Sequence, residues 1–113
     1  MFARFRRRRI NPVLRNLLEE TKLTVDDFIY PLFAKPGKGI KKEVGSMPGV
    51  YQMSIDEIIK ECIELKRLGI YSVILFGIPE IKDSVGSDAM CDHGIMAQTV
   101  KAIKEAHPDM FVV

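Results

Sequence analysis

Three short apolar runs, separated by two segments of helical period, constrain this chain more than any other feature. Residues 29–33 (Ile-Tyr-Pro-Leu-Phe), 72–76 (Ser-Val-Ile-Leu-Phe) and 110–113 (Met-Phe-Val-Val) are strand-length and rich in β-branched and aromatic side chains. The middle run lacks polar alternation, the pattern of a strand covered on both faces in a parallel sheet. Between the runs, Ile55, Ile58, Ile59, Cys62, Ile63 and Leu65 recur at helical spacing, as do Ile95, Met96, Val100 and Ile103. Ser54 and Glu57 form an S-x-x-E capping pattern, Gly69 stands where a left-handed C-terminal cap belongs, and Pro108 closes the second helix. The order strand, helix, strand, helix, strand predicts an α/β fold with a parallel sheet.

Two parallel-sheet solutions compete, an open doubly wound sheet and a closed eight-stranded barrel. No G-x-G-x-x-G or Walker sequence follows the first run, which weakens the nucleotide-binding version. A (β/α)8 barrel needs about 250 residues. With 113 residues the chain supplies under half of one, so its third strand would end with an open edge.

The remaining segments are shorter. Asn11-Pro12 is an N-cap followed by proline at the first helical position, and Val13, Leu14, Leu17 and Leu18 make an apolar stripe running to Glu20. Such a short helix must dock to be stable. Thr24-Val25-Asp26-Asp27 reads as a capped turn, residues 35–39 as a turn cluster, 41–44 as a small hairpin arm, and Ser46-Met47-Pro48-Gly49-Val50 as a turn. Residues 80–93 form a long polar loop.

At 47% hydrophobic and 28% charged, the composition is that of one soluble globular unit. No run approaches the roughly 18–20 apolar residues of a membrane span, and the start lacks a secretory apolar core, so the cytoplasm is expected. Two cysteines exclude a disulfide framework. Cys62 falls on the apolar side of a helix as a buried thiol, while Cys91 and His93 supply only two of zinc's usual four ligands.

The net charge of +2 is unevenly spread. Arg4, Arg6, Arg7, Arg8 and Arg9 form a basic arm, and the remaining chain carries 12 basic and 15 acidic residues, a net of −3. The arm has three readings: a salt-sensitive nucleic-acid tail, a solvated tail, or a strap docked on an acidic neighbour. No folded nucleic-acid reader accompanies it.

Several segments, in order and at matching spacing, resemble the porphobilinogen synthase (5-aminolevulinate dehydratase) family. They are the Arg-rich arm, Asn11-Pro12-x-Leu14-Arg15, Thr21-x-Leu23, Leu23-Thr24-x-Asp26-Asp27-x-Ile29-Tyr30-Pro31-Leu32-Phe33, Ser46-Met47-Pro48-Gly49-Val50-Tyr51 and Leu68-Gly69-Ile70. Phe76-Gly77-Ile78-Pro79 and Lys82-Asp83-x-x-Gly86-Ser87-x-Ala89 complete the series. The resemblance implies a (β/α)8 barrel, of which this chain holds only the N-terminal arm and the first two to three β/α units. Residues 1–23 would be the arm and short helix, contacting another subunit, and 24–113 the incomplete barrel. It further implies condensation of two 5-aminolevulinate molecules to porphobilinogen in tetrapyrrole synthesis, in a homo-octamer of hugging dimers. Zinc or magnesium is implied for the parent protein, with ligands beyond this segment, and no nucleic acid or membrane partner. The arm arginines Arg4, Arg6, Arg7, Arg8 and Arg9 would make the subunit contact.

The family's chemistry uses two Schiff-base lysines, which must react as neutral amines. None of the ten lysines falls within the three strand runs; all are expected in helices, turns or loops, and the chain alone is expected to be inactive. Phe76 is the one residue placed near a site. It ends the second run, where C-terminal strand ends of barrels face the active site, and the family's matching phenylalanine lines a substrate pocket. The alternative is a plain core aromatic. Ser87 and Asp88 lie on the loop above, where a solvated loop is the favoured account over a role in the site. Two alternatives to the enzyme remain: a non-catalytic half-barrel interaction module that recruits a partner through its open strand edge, and the nucleic-acid binder.

Overall fold

The computed structural model describes residues 5–113, so Arg4 of the arm lies outside the described residues. Five strands form one sheet in the order β2-β3-β1-β4-β5. Strands β1 (Tyr30–Ala34), β4 (Ser72–Gly77) and β5 (Phe111–Val112) are the three apolar runs. They lie side by side and all parallel, with Tyr30 opposite Val73 and Ser72 opposite Phe111. Helices α2 (Ile55–Arg67) and α3 (Ile95–Ala106) connect them and pack on one face. The sequential order and parallel direction expected from the sequence are present.

The core lies between that face and the helices. Leu32, Ala34, Val73 and Leu75 point into it and meet Ile58, Cys62 and Leu65 from α2 and Ile95 and Ile103 from α3. Thr99, fully buried, satisfies its hydroxyl by donating to the Ile95 carbonyl at 2.6 Å. Gly69 takes φ +82° and caps α2, with the Ile70 N–H returning to the Leu65 carbonyl at 2.9 Å.

The structure corrects three local expectations. Residues 46–50 are not a free turn: β3 (Met47–Met53) begins there and pairs antiparallel with β2 (Lys41–Val44). The Pro48-Gly49 turn chemistry survives as a bulge. Glu43 faces Tyr51 while its neighbour Val44 faces Met47, so residues 48–50 arch out and Gly49 takes φ +82°. Lys41 and Lys42 consequently sit on a strand. The Ser54–Glu57 capping box does not form. The Ser54 hydroxyl donates to the Asp56 carboxylate at 2.6 Å and accepts from the Ile40 N–H at 2.9 Å, while Glu57 pairs with Lys60. A local cap has become a tether between α2 and the turn before β2. The third correction concerns β4. Its inner face is covered, but Phe76 on the opposite face is 44% exposed. Among the described residues no layer of helices covers that second face.

The N-terminal segment stands apart. Helix α1 (Pro12–Leu17) is capped as expected, the Asn11 side-chain oxygen accepting from the Leu14 N–H at 2.8 Å, but it buries none of its residues. Val13 and Leu17 are 78% and 77% exposed. The radius of gyration, 20.3 Å, exceeds the roughly 13 Å of a compact chain this long, and the longest extent is 61 Å.

Candidate functional site

The C-terminal ends of β1 and β4 lie level, since Phe33 pairs with Phe76 and Ala34 with Gly77. Side chains alternate along a strand, so Leu32, Ala34, Val73 and Leu75 enter the core while Phe33 and Phe76 point to the uncovered face. The two rings stack there with centroids 5.4 Å apart and planes at 25°. Gly77 then ends the strand. A side chain at that position would meet Met96 at 2.7 Å, so its absence lets the start of α3 seat directly on the strand end.

The loop between β4 and α3 is tied by its own polar groups. Asp83 accepts from the backbone N–H of Val85 and Ser87 and from the Ser87 hydroxyl. The Ser87 hydroxyl is the first cause holding the Asp83 carboxyl below the usual range. Asp88 accepts from the Ile95 N–H at 3.3 Å, capping α3 across seven residues. Gly94 is buried against the same residue: a Cβ there would come within 2.1 Å of the Asp88 carbonyl. A cleft of about 580 Å³ opens beside this loop, lined among others by Pro36, Ile55, Ser87, Asp88, Cys91 and His93.

Ser87 and Asp88 therefore share a cleft that Phe76 does not line, because the Phe76 ring lies on the other face of the sheet. Cys91 and His93 also reach the cleft, but no group of three or more His, Cys, Asp or Glu gathers among the described residues. The donors present do not fit a zinc or magnesium centre. Arg6, Arg7, Arg8 and Arg9 are exposed along the projecting arm, Arg7–Arg9 forming a 3-10 turn. Phe33 was not singled out from the sequence; only the cross-strand register reveals it as Phe76's partner.

The lysine amines are kept charged where a shift is resolved. Lys41 donates to Glu61 at 3.1 Å, and that bond raises its pKa; Glu57 does the same for Lys60. Lys66 pairs with Asp109 at 2.7 Å and Lys104 donates to the Met110 carbonyl. Burial pushes the Cys62 thiol up to about 11.

Sequential parallel strands with both helices on one face, and an aromatic pair at the strands' C-terminal ends, define the opening portion of a (β/α)8 barrel. The chain belongs to the delta-aminolevulinic acid dehydratase family, whose model matches residues 2–113. The dehydratase of Halalkalibacterium halodurans is 49% identical over 112 residues, which is 99% of this chain and 34% of that protein. For that of Synechocystis the figures are 51% over 115 residues, 100% of this chain and 35% of the relative. A crystal structure of the Toxoplasma gondii enzyme, described as a porphobilinogen synthase in complex with the reaction product porphobilinogen, superposes with TM-score 0.87 at 31% identity. That match covers 99% of this chain and 32% of the other. The chain spans about a third of the length of the relatives it matches.

Proposed function

We propose that this chain is the N-terminal part of a porphobilinogen synthase, a lyase that condenses two molecules of 5-aminolevulinate to porphobilinogen on the way to haem. The observation that supports this most is a family match along nearly the whole chain, joined to a sheet in which β1, β4 and β5 lie side by side and parallel, with β5 at its edge among the described residues. Residues 24–113 supply the first barrel units. Residues 1–23, through Arg4, Arg6, Arg7, Arg8 and Arg9, dock on a neighbouring subunit in hugging dimers of an octamer. The mild acidity of the chain beyond the arm favours that contact, and the exposed apolar stripe of α1 gives it area to bury. The enzyme works in the cytoplasm; among the described residues no helix is long and apolar enough to cross a membrane.

Within this segment the part played in the chemistry is to line the site. Phe76 presents a flat apolar wall at the C-terminal end of β4, which excludes water from an imine formed nearby. The two Schiff-base lysines are assigned outside residues 1–113, since none of the ten lysines lies on β1, β4 or β5, and Lys41 and Lys60 have their pKa raised by hydrogen-bonded carboxylates, the reverse of what imine formation needs. The ligands for zinc or magnesium are assigned outside this segment as well.

Two incubations with 5-aminolevulinate, read with Ehrlich reagent, test the proposal. The 113-residue chain alone should give no colour. The same chain exchanged for the matching third of the Halalkalibacterium halodurans enzyme should give colour. Colour from the chain alone, or a folded chimera without activity, argues against it.

A further inference from the structure

We propose that Phe33 is a positioning residue for Phe76, its ring fixing the Phe76 ring as a wall for a small amino-keto acid; this rests on the reading of Phe76 as substrate-lining. An aromatic side chain on an uncovered face has more than one staggered χ1 well open to it. Phe76 is such a residue, 44% exposed. Among the described residues its surroundings on that face offer one stacked ring. Phe33 is its direct partner across the parallel pair, and the next level down holds Pro31 opposite Ile74. On β5, Phe111 lies opposite Ser72, at the far end of β4 from Phe76.

The 5.4 Å centroid separation and 25° tilt fall within the range of favourable offset stacking. Nothing on the helix side does the same job, because the residue after Phe76 is Gly77, where Met96 packs against bare backbone. Phe33 itself is anchored on both sides: Leu32 and Ala34 are buried in the core, at 1% and 0% exposure. A ring on a fixed strand therefore restrains a ring on the site's rim. The predicted requirement at position 33 is a planar ring, since apolar bulk alone cannot stack.

Three substitutions in the Halalkalibacterium chimera separate the possibilities. Phe33→Leu keeps apolar volume and removes the ring; it should raise KM for 5-aminolevulinate about 2- to 10-fold, the range of one aromatic stacking contact, and change kcat less. Phe33→Tyr restores the ring and should restore KM. Phe76→Ala should raise KM at least as far as Phe33→Leu. A KM that stays put in Phe33→Leu while Phe76→Ala raises it overturns the role of Phe33 alone. An unchanged KM in Phe76→Ala overturns the reading of Phe76 on which it rests. Should the chimera lack activity, the Phe76 ring-proton shifts in the labelled 113-residue chain decide: they should move toward free-phenylalanine values in Phe33→Leu and hold in Phe33→Tyr. Unmoved shifts in Phe33→Leu dismiss the proposal.

Discussion

The two faces of one sheet tell different stories with nearly the same residue types. On the helix side Leu32, Ala34, Val73 and Leu75 are at most 5% exposed and meet side chains from both α2 and α3. On the other side β1 and β4 turn out Phe33 and Phe76 and β5 carries Phe111, with Phe76 and Phe111 44% and 62% exposed. The first face is a finished core, and the second is the inner wall of a barrel whose other staves are not in this segment. Apolar residues on both faces of β4 thus fit a strand covered on two sides in a barrel, of which only the helix-covered side is complete here.

Substitutions on the two faces should differ most sharply in stability. Ile103→Ala, at a fully buried position on α3, should cost about 2–5 kcal/mol in urea unfolding of the chain. Phe111→Ala, on the open face, should shift the same curve by about 0.5 kcal/mol or less. Similar costs for both would mean that the open face is covered in solution. Gly94→Ala should come next, at about 1–3 kcal/mol, since the added methyl cannot clear the Asp88 carbonyl without moving the loop from α3. Faster hydrogen exchange at the Ile95 N–H, which Asp88 accepts, is the accompanying sign.

The smallest effect is chemical. Cys62 is buried with its thiol raised to about 11, whereas Cys91 is exposed. A thiol reagent at pH 8 should therefore modify one cysteine in the folded chain and two in urea. Because the Cys62 pKa is raised by folding, deprotonation favours the unfolded chain. Stability should fall as pH climbs from the ordinary thiol value toward 11. A native chain in which both thiols react at equal rates would show that the helix-covered face is loosely packed.

What the sequence discloses about this molecule depends on how far apart the deciding partners are. Strands β1, β4 and β5, helices α2 and α3, the Asn11 cap and the Gly69 cap are set by residues within one or two turns of each other, and their patterns are legible. The Ser54 hydroxyl is different: its backbone donor belongs to Ile40, 14 residues away, and nothing local distinguishes that tether from an ordinary cap. The same applies to Pro48-Gly49, whose turn chemistry is real but is spent inside a ladder with β2. Phe76 could be placed by its position at a strand end. Phe33 could not be picked out as its stacking partner, because that contact depends on a register that only the parallel pairing with β4 sets.

The way β3 meets β1 has one further consequence. β3 touches only Phe33 and Ala34, while β4 runs along all five residues of β1. Among the described residues the outer margin of β1 is thus blocked at its upper end and unpaired along Tyr30, Pro31 and Leu32, and Pro31 has no N–H to offer. A newcomer strand finds a berth three residues long with a hard stop at the top. It cannot slide upward, and it gains too few bonds to seed an endless ribbon of copies. The hairpin is thus a wedge at one end of that margin, leaving a short open sill of three residues below it among the described residues.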